Sequence, residues 1–518
     1  MKNILIAIRS IFKKGRHNVM KIVSLGIGLA VGLVLIAKVY FEQSYDDFYP
    51  DRDRVYQVWA KYQQNGGELK DYPQTSGGIA PTMQQQIPEI ETVTRYTSFG
   101  DWTFTMTDTK MKYSGRCIIA DSCFFDILPR PMLIGNAKEV LSTPMYVLIS
   151  SRIAKNIGGD VIGKNFTVDN SPGRTMTIGG VFEEVPENSH SRYDVIVSMA
   201  SAGRFMWEGS PTNMLGNDRY ISYVKLHKGV NPLALEEQVR TFVNSYFPPE
   251  EQQKVGLSID FSFHKLDNLH KELPQVKRMT WILSLLAFAL IFTAVMNYIL
   301  IVISSIVNRS KEVAVHKCYG ASENNIHGMM FGEALVHIVL SLILALLLIL
   351  AFRGTVEELL ATSLDSLLLS NGSLVLLGIC ILVFFVSGFM PGSLYARIPV
   401  ASAFRNYREN KRIWKKALLL VQFVATGFLV TMLVFVARQY TFMVNDRPGY
   451  AYENLAYCGL AGVDSTSRAK ILDEVMRLPG VAAATTVYQL PFEHASGNNI
   501  LLPGGTQELF NIARSEER

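Results

Sequence analysis

Charge is scarce in this sequence. Asp, Glu, Lys and Arg together make 18% of its 518 residues, while apolar residues make 49%. A soluble domain usually carries more charge. Cysteine is also thin, with five residues that form no disulfide framework. The spacing of Cys117 and Cys123 allows a bridge and equally allows two separate core thiols. His264 and His270 lack the carboxylate or Cys neighbours that complete a metal site. No nucleophile-and-base pairing emerges, so an enzyme reading finds no support. A phosphate loop is missing too. GGDVIGKN, Gly158 to Asn165, nearly spells one. Asn165 stands where a Ser or Thr must ligate magnesium, and a helical pattern precedes the loop where a strand should.

The apolar residues are gathered into blocks. Five are long enough to cross a bilayer, which takes roughly 20 apolar residues. They run over 22–41, 281–304, 329–352, 373–395 and 417–437. A helix satisfies every backbone polar group within such a segment. The first block is too long for a signal-peptide core and no small-x-small cleavage site follows it, so it reads as an uncleaved anchor.

Lys and Arg in the flanks set the orientation. Lys2, Arg9, Lys13, Lys14, Arg16 and Lys21 precede the first span, and Glu42, Asp46 and Asp47 follow it. The loop 396–416 is basic, whereas the loop 353–372 carries Glu357, Glu358 and Asp365 against Arg353. The N-terminus and the segments 305–328 and 396–416 are therefore predicted to be cytoplasmic. The segments 42–280, 353–372 and 438–518 are predicted to be outside. Basic clusters beside spans follow the inside rule and meet anionic lipid heads, so no nucleic-acid partner is read from them. Residues 1–21 form an amphipathic pattern, with Ile4, Leu5, Ile8, Ile11 and Phe12 on one face.

In the outer segment, Val55–Tyr62, Glu91–Ser98, Tyr220–Leu226 and Leu257–Phe263 read as strands. Ala80–Gln86 and Pro232–Tyr246 read as helices. Two βαβ-like halves separated by a β-rich insert at about 100–219 suggest a split ferredoxin-like lobe. The fold class is thus a membrane α-helical protein with five spans and an α+β extracytoplasmic domain. The pattern of Ala7, Ile8, Arg9 and Arg16 before the first span recurs as Ala403, Phe404, Arg405 and Arg412 before the fifth. That repeat makes 438–518 an incomplete second lobe. Either the second copy is cut short or the repeat was never complete; the expectation is a full product with a finished lobe and three more spans.

The stretch NRSKEVAVHKCYGAS, Asn308 to Ser322, resembles an R-x-x-E-h-x-V-R-K-x-x-G-A signature, with h apolar. Three more stretches join it: SCFFDILPRPMLIGNAKEVL from Ser122, VLISSRIAKNIGG from Val147 with VIGK after it, and GVFEEVPENSHSRYDVIVS from Gly180. Together they make the chain resemble the FtsX/MacB-like permease family of ABC transporters, in the duplicated eight-span form common in Bacteroidota. His316 stands where that family usually has Arg.

The resemblance implies an inner-membrane permease subunit without a cofactor of its own. ATP would be bound and hydrolysed by a separate cytoplasmic ABC ATPase. A permease dimer and a periplasmic adaptor or hydrolase are further implied partners. Efflux and mechanotransmission both occur among the implied roles, and a non-transporting signal transducer is the alternative. The resemblance also points to 305–328 as the coupling segment, with Arg309, Glu312, His316, Lys317, Gly320 and Ala321 facing the ATPase. Two further features come from spacing. Gly28 and Gly32 permit close helix approach on the first span. Glu333 and His337 share one face of the third, about one turn inside its predicted start, where a helix-packing or interfacial role is expected.

Overall fold

A computed structural model describes residues 17–64, 67–168, 173–216, 218–369, 372–396, 400, 413–445, 454–460, 463, 465–487, 496–501, 507–512 and 515–516. Most of the expected amphipathic segment and of the basic loop 396–416 lies outside these residues.

The described chain begins with α1 (Asn18–Gln43), which leads into an α+β domain. Eleven strands of that domain join in one sheet. They are β1 (Val55–Gln64), β2 (Lys70–Tyr72), β3 (Ile90–Met106), β4 (Lys112–Ala120), β5 (Met132–Ile134), β6 (Tyr146–Ser150), β7 (Asn165–Val168), β8 (Thr175–Phe182), β9 (Val195–Ser198), β10 (Ile221–Leu226) and β11 (Leu257–Lys265). Across the sheet the order is β11-β1-β10-β3-β4-β9-β6-β8-β5, with β2 beside β1 and β7 beside β3 and β8.

The sequence suggests a lobe with a separate insert, but the sheet runs through both. β3 is the reason. Its first half pairs with β10 and its second half with β4. The register shifts between Ser98 and Asp101, where Gly100 takes a φ of +72°. A glycine in the left-handed region lets a bulge form, and a bulge bends a strand. One strand therefore serves both halves.

Each half has its own core. Helices α2 (Ile79–Gln86) and α3 (Glu236–Tyr246) bury Met83, Val239 and Phe242 against Val58, Val93, Val224 and Phe261. In the insert, β9 reads VIVS and is buried at every position, between a parallel β4 and an antiparallel β6. A strand covered on both faces is apolar throughout. A third cluster spans both halves. It joins Tyr96, Ile118, Phe124, Phe182 and Tyr223 to Tyr49 and Leu266, which belong to the segments leading to and from the helices.

After the domain come α4 (Pro274–Ser304), α5 (Ile306–Cys318), α6 (Glu323–Ala351), α7 (Arg353–Leu360), α8 (Leu364–Leu368), α9 (Ser373–Ala396) and α10 (Ile413–Asn445). Among the described residues, α1, α4, α6, α9 and α10 are long and apolar enough to cross a membrane. The first four pack around Leu25, Leu29, Val295, Ile299, Ile338 and Ala345. The side chains of α10 are mostly exposed.

Capping shifts the starts of two helices. Pro274 occupies the first turn of α4, seven residues before the predicted span at Trp281. Ser322 caps α6, its hydroxyl accepting from the Asn325 N–H at 3.4 Å. Glu333 therefore sits about three turns into its helix rather than about one. Within 438–518 the described residues include a helix, Ser465–Met476, and a hairpin of Ser496–Leu501 with Gln507–Ile512.

Candidate coupling sites

Two places where the helices could exchange work with something else lie at opposite ends of the bundle. The first is α5. It follows α4 after a corner at Ser305, and α9 fixes that corner. The Tyr395 hydroxyl lies 3.1 Å from Ser305 Oγ and donates to the Val302 carbonyl at 3.1 Å. Val313 and Ala314 are buried, turning one face of α5 into the bundle. Lys311, Val315, His316, Cys318 and Tyr319 face outward. Glu312 and Lys317 are half-buried, as is Ala321, and the Arg309 side chain lies outside the described residues.

Gly320 ends the helix at a φ of +87°. Its N–H reaches the Lys317 carbonyl at 3.0 Å, and the Ala321 N–H reaches the His316 carbonyl at 3.0 Å. A residue with a Cβ would be strained there. The sequence reading centred on the charges and missed Tyr319, which is 89% exposed. Lys311, Val315 and Tyr319 recur every four residues, so they form one ridge. A large apolar side chain at the end of a basic, outward ridge was the available signal.

Between the two ends, polar groups bind helices together. Lys21 of α1 meets Glu333 of α6 at 3.5 Å, and both are buried. The Tyr298 hydroxyl lies 3.2 Å from His337 Nδ1, joining α4 to α6. Ser341 donates to the Ile22 carbonyl at 3.1 Å. Gly28 and Gly32 face α4. A Cβ on Gly28 would lie 2.2 Å from the Ala294 Cβ, and one on Gly32 would lie 2.4 Å from Ile291 Cγ1.

The second place is where α1 leaves the bundle for the domain. Lys38 Nζ lies 2.7 Å from Glu42 and donates to Thr362 Oγ1 at 2.7 Å. The other Glu42 oxygen meets His270 Nε2 at 2.6 Å, and the His270 ring stacks on Tyr45 at 3.4 Å. Burial, aided by the Glu42 charge, pushes the Tyr45 phenol up to about 12. Next comes Asp46, fully buried, at a φ of +59°. Its carboxylate accepts from Ser189 Oγ at 2.8 Å and meets His190 Nδ1 at 2.6 Å. His190 Nε2 contacts the Tyr223 hydroxyl and lies 3.0 Å from Ser191 Oγ, which in turn lies 2.7 Å from the Tyr96 hydroxyl.

Asp46, His190 and Ser191 share the atom types of a hydrolase triad. Ser191 is buried, however, and its hydroxyl is taken up by Tyr96. A nucleophile must present its oxygen to a substrate, so the group reads as a structural network.

The other sequence candidates are placed apart from both ends. Gly158 to Asn165 runs from a helix (Ser151–Ile157) through a turn into β7, the reverse of a strand–loop–helix phosphate site. Cys117 is a buried thiol on β4, and Cys123 Sγ donates to the Val93 carbonyl at 3.1 Å, so the two are not bridged. The ring of His264 stacks on Trp59 at 4.2 Å.

Residues 20–242 match the family of MacB-like periplasmic core domains, and residues 284–400 match the FtsX-like permease C-terminal family. Among solved structures, a domain described as that of a permease protein from Porphyromonas gingivalis is 33% identical. The match covers 42% of this chain and 91% of that one, with a TM-score of 0.39. The periplasmic region of MacB from Actinobacillus actinomycetemcomitans is 16% identical over 40% of this chain and 87% of that one, at a TM-score of 0.28. The extracellular domain of the noncanonic ABC-type transporter YknZ from Gram-positive bacteria is 11% identical over 40% and 98%, also at 0.28. No curated protein sequence matches.

Proposed function

This chain belongs to the FtsX/MacB-like family of ABC transporter permeases, and from that premise we propose that it turns ATP hydrolysis on a separate cytoplasmic subunit into movement of the domain outside. The observation that carries the proposal is α5, a short helix held between two long apolar ones, with Lys311, Val315, His316 and Tyr319 turned outward. A push on that ridge reaches α4 directly and α6 through the tight Gly320 turn. α4 then leads to the domain.

In this reading the N-terminus and α5 are cytoplasmic, the domain and the α7–α8 loop are periplasmic, and the membrane is the inner one. The flanking charges support that orientation. The order β11-β1-β10-β3, with α2 and α3 on the crossovers, supports reading that part of the domain as a split ferredoxin-like porter lobe. The protein works as a dimer with an ATPase pair, and a periplasmic adaptor or hydrolase receives the motion. The packed core of α1, α4, α6 and α9 favours work done on the outer domain over a path through one protomer. That core fits export driven from the periplasm and non-transporting signal transduction alike.

The test is co-purification of the full chain with its cognate ATPase, with the hydrolysis rate measured for wild type and Glu312→Lys. That substitution reverses a charge yet strengthens the inside signal. Insertion should be intact, while binding or stimulation falls. Unchanged binding and stimulation would remove α5 as the coupling element. A reporter fused after Ala321 that is exported would overturn the orientation itself.

A further inference from the structure

Four chain segments far apart in sequence meet at the exit of α1. They are Lys38–Tyr49, the turn Asn188–Ser191 of the insert, the return segment around His270, and the loop between α7 and α8. We propose that this meeting point is a rigid polar joint, which makes α1 and the outer domain turn as one body instead of being linked by a flexible tether. The proposal deepens the coupling function and rests on it for its physiological meaning. The joint itself is a property of this chain alone.

The joint has an order. Glu42 is the last acidic group of α1, and it draws in both Lys38 of its own helix and His270 of the segment that returns to α4. Lys38 also reaches Thr362 between α7 and α8, and the neighbouring Ser363 N–H donates to Glu187 of the insert at 3.0 Å. The two spans flanking the domain are thereby tied to each other and to the loop between α7 and α8. Charged groups taken out of water need such partners, and they lose much of their stability when one partner is removed.

The second half of the joint begins one turn later. The Asp46 N–H donates to the Asn188 carbonyl at 2.8 Å, and Asn188 Nδ2 donates to the Ser44 carbonyl at 2.7 Å. These bonds hold Asp46 in the left-handed region, which Asp tolerates but other side chains rarely adopt. From there the hydrogen bonds run through His190 to Tyr223 on β10, and through Ser191 to Tyr96 on β3. β3 and β10 are neighbours in the centre of the sheet, and β3 is the strand shared by both halves. A rotation of α1 is thus delivered to the one element that both halves have in common. The turn Asn188–Ser191 falls within a stretch that the sequence singles out, and the joint gives it a task.

Asp46, Ser191, Tyr223 and Tyr96 are buried, and His190 between them is half-buried; a hydrogen-bonded network so enclosed leaves few alternative arrangements and specifies one geometry. A flexible linker would instead allow a broad spread of domain orientations.

The experiment uses the full chain in lipid nanodiscs, with exposed Cys318 and Cys458 replaced by Ser. Spin labels at Lys138→Cys on the insert and Phe352→Cys at the end of α6 report the distance distribution between domain and bundle. A second pair, Lys138→Cys with Asp101→Cys, reports the insert alone. The joint predicts a narrow distribution for the first pair in wild type. In Asp46→Ala or Glu42→Ala it widens at least twofold, with the second pair unchanged. Tyr223→Phe, which removes a single hydroxyl, should give a smaller widening and decides the matter if the alanine variants fail to fold. An unchanged first-pair width in a folded Asp46→Ala, or in Tyr223→Phe if that variant must decide, overturns the joint. With cognate ATPase and nucleotide added, Tyr223→Phe should still bind and hydrolyse while its domain shift shrinks. Failure of the wild type to bind any ATPase would instead count against the coupling function and leave the joint standing.

Discussion

The two ends of the helix bundle handle charge in opposite ways. At the domain end, Lys38, Glu42 and Asp46 are buried, and each meets a partner from a distant segment within 2.8 Å. At the α5 end, Lys311 and His316 face outward beside an exposed Tyr319. Buried pairs cost desolvation, and removing one partner strands the other, whereas exposed pairs add little to stability. The difference separates a joint the chain completes within itself from a surface that a second protein would complete.

The comparison can be broken most easily at Glu42. Replacing it with Ala leaves the buried Lys38 and the half-buried His270 without their shared carboxylate, so the cost should reach about 3 kcal/mol. Lys311→Ala at the other end should leave the melting temperature unmoved. Thermal unfolding of both variants in one detergent checks the contrast, and equal shifts would erase it.

A smaller contrast sharpens the packing. Gly28 of α1 is pressed against Ala294, while a Cβ on Gly427 of α10 would meet nothing within 4 Å. Gly28→Val should therefore destabilise by about 1–3 kcal/mol through overpacking. Gly427→Ala should be neutral or stabilise by at most about 1 kcal/mol, since Ala is the better helix former. Loss of stability in both would mean that α10 is more closely covered than its exposed side chains indicate.

The smallest effect belongs to the domain surface. Arg54 at 3.0 Å and Lys225 at 2.6 Å hold the Asp51 carboxyl down at about 2. A depressed carboxylate stabilises above its unfolded pKa, and the gain is lost as pH falls through the folded value. Asp51 is 37% exposed, so solvent screening keeps that gain below about 1 kcal/mol. Asp51→Asn should be slightly less stable than wild type near neutrality, and the gap should close between about pH 4 and pH 2, as the wild-type carboxyl takes up its proton. A gap that persists at pH 2 would point to a packing defect instead.

These contrasts also show what the sequence discloses. Apolar runs announce membrane-crossing helices because burial in lipid demands about 20 apolar residues whatever the neighbours are. Strand patterns such as Tyr220–Leu226 are legible for the same local reason, and β10 spans Ile221–Leu226. The joint is illegible because Asp46, His190, Tyr223 and His270 are brought together only by the sheet and the two flanking spans. His270 alone reads as a residue of a connecting segment. Two signals were present in the sequence: a Lys38–Glu42 pair at helical spacing where a span ends, and the dense polar stretch Glu187–Ser191. The continuity of the sheet was equally hidden, since a bulge at Gly100 looks like an ordinary turn in a single sequence.

The most direct test of the contrast between the ends is to measure ATPase association, and thermal stability without ATPase, on the same two variants, Tyr319→Ala and Glu42→Ala, in full-length protein. Tyr319→Ala should lose most of its ATPase binding while melting at the wild-type temperature. Glu42→Ala should melt lower while its folded fraction still binds. The reverse pattern, with Tyr319→Ala binding normally and Glu42→Ala melting normally, would contradict the account at both ends.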